Sequence, residues 1–239
     1  MGEIQIKNID GVVLFSHTAE NNSIKLTVEE AVKKNVNLAL ADLGDAELAW
    51  ADLAGANLEG ANLEDADLSW ADLIGANLED ANLKDANLKG ANLNEANISG
   101  ADLADADLEG AKLEWAILDG ANLIGVQNIP YIPLACPSEG AFIGWKKVKW
   151  KYLVKLQIPE DARRCSATTR KCRCDKAMVL EITSLDGNKH YDEVTNNNYS
   201  ETIYKVGEMV YPDSFDENRW NECSHGIHFF VNKEDAINY

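Results

Sequence analysis

The sequence predicts a mainly β chain in two parts: a repetitive solenoid over residues 36–125 and a small α+β domain over residues 136–239. Three observations carry this. One five-residue phrase recurs without interruption through the first part. The chain's net charge of −18 is concentrated there, with 19 acidic and 3 basic side chains between residues 36 and 125. From residue 126 the phrase stops, and acids and bases become balanced at 16 and 15.

The phrase reads Ala, then Asp or Asn, then Leu, then two freer positions, as in Ala41-Asp42-Leu43 and Ala121-Asn122-Leu123. Its apolar centre falls at residue 38 and every fifth residue to 123, which makes 18 repeats. Ile98 is the one centre that is not Leu, and Val36 the one flanking residue that is not Ala. A period of five fits neither the 3.6 of a helix nor the 2 of a strand. A fixed self-similar period marks a solenoid whose units bury their faces by stacking. One large and one small inward residue per five suit a narrow closed tube.

The phrase resembles the pentapeptide-repeat family over the whole stretch. The resemblance implies a right-handed quadrilateral β-helix with four pentapeptides per coil. Leu would then fill the axis and Ala would pack where nothing larger fits. Eighteen repeats give 4.5 coils, roughly 22 Å at the ~4.8 Å spacing of strands.

Residues 1–35 read as a cap over an otherwise open, aggregation-prone end. Ile4 and Ile6 alternate with polar residues, Asp10-Gly11 makes a hairpin turn, and Val12–Phe15 forms the returning strand. A short helix is expected from Thr27, where Thr27-Val28-Glu29-Glu30 has the form of a capping box.

A 20-residue coil sorts the outward residues. Asp45, Asp65, Asp85 and Asp105 fall in one column, Trp50 and Trp70 stack in another, and Asn37, Asn57, Asn77 and Asn97 align as an amide ladder. The Asp column is a candidate recognition surface for a cationic partner. Corner chemistry and solubility are the alternative reasons for its composition.

Residues 126–135, with Pro130 and Pro133, read as a linker or final lid. Beyond it, strands are expected at 141–145, 151–156, 177–182, 204–210 and 226–231. A turn or short helix is expected at 159–162, a polar loop at 186–201, and a closing helix capped by Asn232. This part resembles a C-terminal domain of unknown function that follows pentapeptide repeats in some bacterial and bacteriophage proteins. The stretches that carry the likeness are 140–145, 170–176 and 215–230.

Three constellations stand out in it. Cys172, Cys174, Cys223 and His228 offer zinc the right ligand types at a poor spacing; otherwise no cofactor is implied. Cys223-Ser224-His225 is a weak nucleophile pattern. The cations Arg163, Arg164, Arg170, Lys171 and Arg173 face an acidic set, Asp213, Asp216, Glu217 and Glu222, interleaved with Phe215 and Trp220. Either these pair with each other, or Arg170, Lys171, Arg173, Trp220, His225 and His228 form a ligand site.

These readings make the chain a non-catalytic binding or scaffold protein with a protein partner. The sequence carries no triad, phosphate loop or HExxH pattern. Some members of the resembled family imitate duplex DNA and block topoisomerases, so a cationic DNA-binding protein is one expected partner. The repeat carries a net −16, one charge per ~1.4 Å of tube against ~1.7 Å in B-DNA. A metal- or nucleotide-binding or catalytic C-terminal domain is the other alternative. Such an acidic tube has no means of binding nucleic acid directly. Five cysteines with three crowded together, and no signal-like or membrane-spanning run, point to reduced thiols in a cytoplasm.

Overall fold

The computed structural model describes residues 2–132, 134–196, 202–221 and 223–239. Pro133 of the linker, Asn197 and Asn198 of the polar loop, and Glu222 of the acidic set lie outside them. The chain divides into two compact units, 1–131 and 132–239, so the boundary falls inside the stretch read as a linker.

In the first unit, β1 (Gly2–Lys7) and β2 (Val13–Ala19) pair antiparallel, and α1 (Ile24–Lys33) packs on them. The helix begins earlier than Thr27. Ser23 is its N-cap, and its side chain accepts from the Leu26 amide at 3.1 Å. Thr27 is fully buried inside the first turn, and its hydroxyl donates back to the Ser23 carbonyl. A hydroxyl at 27 therefore misread the start by one turn.

The cap closes the first coil by supplying what a preceding coil would have supplied. In later coils the amide of the Asp/Asn position donates to an Ala carbonyl of the coil before, as Asn62 does to Ala41 at 2.8 Å. In the first coil, Asp42 donates instead to the Lys7 carbonyl at 2.8 Å, and Asp52 to Glu29 Oε1 at 3.1 Å. Lys25 Nζ takes the Ala49 carbonyl at 2.9 Å.

The coils then follow a single rule. Parallel bridges link residues 20 apart, from Asp42↔Asn62 to Asp107↔Gln127, so the ladder runs two residues past the expected end. The Leu centres from 38 to 118 are buried, while Leu123 at the last coil is half-buried. Residues 76–80 serve as an example, since all five of their amides have a partner. Ala76 donates to Leu73 O, Asn77 to Ala56 O, Leu78 to Asn97 O and Asp80 to Ser99 O. The fifth amide, that of Glu79, donates to Asn77 Oδ1 at 3.2 Å. Every corner residue, from Leu40 to Gly125, has a positive φ.

The second unit is built on a seven-stranded antiparallel sheet. Its strands are β3 (Phe142–Val148), β4 (Tyr152–Ile158), β5 (Arg164–Cys165), β6 (Lys171–Cys174) and β7 (Ala177–Ser184), with β10 (Met209–Val210) and β11 (Ile227–Phe230). The spatial order is β10-β7-β4-β3-β11-β6-β5. β8 (Glu193–Asn196) and β9 (Thr202–Lys205) form a separate ribbon. Residues 159–162 make a turn, one of the two forms expected, closed by Ala162 N to Pro159 O. Two expectations change. Part of the polar loop is β8, because Val194 is buried against the core opposite Tyr204. The strand expected over 204–210 breaks at Gly207, whose φ is +82°. The closing helix α2 (Lys233–Asn238) starts at Asn232, which accepts from Glu234 N at 2.8 Å.

The hydrogen bond inside each repeat yields a first test. Asn77 Oδ1 accepts from Glu79 N, and also from Asn97 Nδ2 at 3.2 Å. Asn77→Ala should cost about 0.5–1.5 kcal/mol, the net worth of a hydrogen bond whose exposed amide can turn to water instead, whereas Asn77→Asp keeps the acceptor. Thermal melts of the two variants should separate accordingly.

Candidate functional site

The outward surface of the first unit follows from two positions in the phrase. Where the residue just before a centre is Asp or Asn, it is committed to structure. Its Oδ1 accepts the amide two residues on, as Asp52 does from Ala54, Asp67 from Ser69, Asp72 from Ile74 and Asp102 from Ala104. The same oxygens take the side-chain amides of the next coil: Asn87 to Asp67 at 3.0 Å, Asn92 to Asp72 at 3.1 Å and Asn122 to Asp102 at 2.8 Å. The expected Asn ladder is one such column, in which Asn97 donates to Asn77 and Asn77 to Asn57.

The Asp column sits elsewhere. Asp45, Asp65, Asp85 and Asp105 occupy corners with φ between 56° and 60°, all exposed. Their amides donate to the next coil, Asp45 to Glu64 O and Asp85 to Ala104 O. The left-handed backbone explains why short polar residues occur there. The carboxylates themselves project outward. Lys84 relieves part of the column, lying 3.2 Å from Asp85 and 3.9 Å from Glu64; its ammonium pKa is raised, first by the Asp85 contact. Trp50 and Trp70 stack as expected, centroids 5.3 Å apart and planes 10° from parallel.

In the second unit, strand parity separates the zinc candidates. Cys174 lies opposite Ile227 and Cys172 opposite Phe229, and all four face the buried core. His228 lies opposite Arg173 and so points to the other face. Cys223 meets Lys171 Nζ at 3.0 Å. The four therefore do not converge, and no metal-competent cluster forms among the described residues. Burial also pushes the Cys174 thiol up to about 12, which keeps it protonated.

The arginines are tied to the protein itself. Arg164 donates to the carbonyls of Pro137, Gly140, Pro159, Glu160 and Ala162, pinning two loop segments at once. Arg163 pairs with Asp175 and Glu217 and lies over Phe215. Arg170 pairs with Asp235. Arg173 is 2% exposed and donates from Nη2 to the carbonyls of Asp216 and Asn218, while its Nε and Nη1 have no partner among the described residues. Arg219 binds the carbonyls of Ser166 and Ala167 and lies over Trp220. His225 stands 3.6 Å from Asp213. Between the basic and acidic sets one side-chain pair forms among the described residues, Arg163 with Glu217, and Arg173 takes backbone carbonyls of the acidic segment; Arg164 and Arg170 are held elsewhere. The sequence reading missed Arg219 and Lys146. Arg219 lies within the acidic stretch and was legible as its internal counter-charge. Lys146 alternates with Gly144 and Val148 on the core face, and only the strand pairing reveals that.

The architecture defines a capped tube of five-residue repeats joined to an antiparallel β domain. Pentapeptide-repeat models match residues 41–80, 61–100 and 96–127, and a family of unknown function (DUF5758) matches residues 132–236. Among solved structures, a pentapeptide repeat protein of the Arabidopsis thaliana thylakoid lumen is 30% identical with a TM-score of 0.39; the match covers 40% of this chain and 68% of that one. A pentapeptide repeat protein from Nostoc is 49% identical, TM-score 0.31, covering 31% and 62%. Full-length QnrB1, a plasmid-mediated fluoroquinolone resistance protein, is 18% identical, TM-score 0.18, covering 36% and 64%. The chain spans less than two thirds of the latter two. No curated protein matches it. The chain belongs to the pentapeptide-repeat family and carries a C-terminal domain of that family of unknown function. No helix among the described residues is long and apolar enough to cross a membrane.

Two tests follow. Asp65→Asn with Asp85→Asn keeps corner-compatible residues and removes adjacent like charges. Its melting temperature should equal or exceed the parent's at low salt, with the gap closing at high salt; a clear loss would mean that the carboxylates bond turn amides. The second test concerns Lys146, a half-buried residue whose ammonium has one hydrogen-bond partner among the described residues, His228 O at 3.2 Å. Burial lowers its pKa to about 8 from 10.5. The unfolded chain therefore binds more protons between those values, so this group opposes folding at neutral pH and ceases to do so as pH rises through that window. Lys146→Met should be more stable than the parent at neutral pH, by up to about 3 kcal/mol. The difference should vanish near the unfolded pKa.

Proposed function

We propose that this protein is a non-catalytic binding protein whose acidic β-helix recognises a cationic protein partner. The second unit would add specificity. The observation that carries the reading is the pair of positions just described. One set of polar side chains is committed to the coil. A second set, headed by Asp45, Asp65, Asp85 and Asp105, projects from a rigid frame in register. A fixed array of carboxylates concentrates potential and steers a basic partner. The internally tied arginines of the second unit support a structural rather than a phosphate-binding role for them. The lack of a spanning helix among the described residues fits a soluble setting, and the crowding of Cys165, Cys172 and Cys174 fits reduced thiols in a cytoplasm.

DNA mimicry is the second reading, favoured by the charge density along the tube. It predicts that duplex DNA displaces the partner, whereas an ordinary acidic docking surface need not compete with DNA.

The test is capture of partners from a cell lysate at low and high salt. It is repeated with all four column residues changed to Asn, and again without residues 132–239. Basic proteins should be retained at low salt and lost on neutralising the column. Retention that ignores both salt and the column would overturn the reading.

A further inference from the structure

Trp50 and Trp70 occupy corners at φ 62° and 60°. A left-handed backbone costs an L-residue with a bulky side chain roughly 1–2 kcal/mol. Lower in the same column the corners are Gly90 and Gly110, which incur no such cost. Each Trp is also mostly in solvent, 66% and 56% exposed. The stack therefore adds little core and strains two corners, the kind of local cost that calls for a functional account.

Geometry fixes the pair. Trp70 lies flat on Gly90, where a Cβ would meet the indole at 2.6 Å, and Trp50 lies on Trp70. Centroids 5.3 Å apart at near-parallel planes mean a slipped stack, which leaves ring face open as well as ring edge. On one side of the corner run Glu47 and Asp67, and on the other Asp52 and Asp72, each pair bridged in register. Asp67 and Asp72 use Oδ1 within the coil. None of the four carboxylates has a cation partner among the described residues. Residues 42–72 hold nine carboxylates and no Lys or Arg.

We propose that the Trp50–Trp70 stack is the seat for an arginine side chain of the protein partner, with Glu47, Asp67, Asp52 and Asp72 as its counter-charges. The chemistry selects the occupant. An aromatic face attracts cations, and Trp does so best. A guanidinium stacks on a ring while its N–H groups reach carboxylates at the rim, which the compact, strongly hydrated ammonium does less well. Nucleic acid bases also stack on Trp, but their phosphates would face uncompensated carboxylates. A second copy of this tube would bring like charges together.

This inference rests on the acidic tube being the binding element, so the experiment separates the two. The full-length protein is titrated calorimetrically with a synthetic peptide of alternating Arg and Gly, and with its Lys counterpart. The comparison is with a Trp50→Gly, Trp70→Gly variant, in which both corners carry the residue native to the lower column. The parent should bind the Arg peptide more tightly than the Lys peptide. The double variant should lose about tenfold in affinity for the Arg peptide at both low and high salt, while melting at or above the parent temperature. Trp50→Gly alone, which leaves Trp70 seated on Gly90, should lose part of that factor and serves if the double variant does not fold. Salt-sensitive binding by the parent with unchanged affinity in the Trp variants overturns the arginine seat and leaves the acidic-tube reading intact. No binding by the parent at low salt overturns both. A parent that dimerises, with the dimer lost in the Trp variants, makes the stack a self-contact and also overturns the proposal.

Discussion

The amide that follows each Leu centre is the constraint on which the first unit depends. Four of the five amides in a repeat find carbonyls in the same or a neighbouring coil. The fifth points where no carbonyl arrives, and a buried or half-buried amide left unpaired is costly. An Oδ1 two residues earlier meets it, as Asn77 meets Glu79 and Asp102 meets Ala104. Asp and Asn place a strong acceptor at that reach, where a Ser or Thr hydroxyl would do so more weakly. Where Lys112 takes the position instead, the acceptor comes from the coil before, through Asn94 Oδ1 to Glu114 at 2.9 Å. The period of five, the left-handed corner and the Asp/Asn choice are therefore one solution to one accounting problem. The cap obeys the same rule, since Lys7 O and Glu29 Oε1 stand in for a coil that is not there.

That constraint also explains how much of the tube was legible. Register follows from a period without insertions, so Asp45 over Asp65 and Trp50 over Trp70 could be placed from numbering alone. The roles of the two polar positions could not. Both are rich in Asp, and only the hydrogen bonds assign Asp67 and Asp72 to the coil while leaving Asp45 and Asp65 facing outward. The helix start was misplaced for a similar reason: Ser23 and Thr27 both suit a cap, and burial of Thr27 decided between them.

The second unit was less legible because its contacts are long-range. The alternation of Ile227, His228 and Phe229 is visible in sequence, and so is Cys172-x-Cys174. That the two thiols share a face with Ile227 and Phe229, leaving His228 behind with Arg173, requires knowing that β6 pairs with β11 in that register. Two-residue β5 and four-residue β6 also sit among polar residues and carry no strand pattern of their own. β6 is held by its ladder to β11 and by Cys172 and Cys174 in the core, and Arg164, Arg173 and Arg219 hold nearby loops by their carbonyls.

The two units thus treat charge in opposite ways. In the second, a guanidinium such as that of Arg164 satisfies carbonyls that short, irregular segments leave unpaired, so its cations are structural and its net charge stays near zero. In the first, the coil itself satisfies most of the backbone amides between residues 38 and 108, and the corners are free to carry whatever the left-handed backbone tolerates. Selection at those corners can act on the surface alone. Asp at four corners of one column, and Trp at two corners of the next above Gly90 and Gly110, where Gly would be the less strained choice, place the information of this molecule on the outside of the tube.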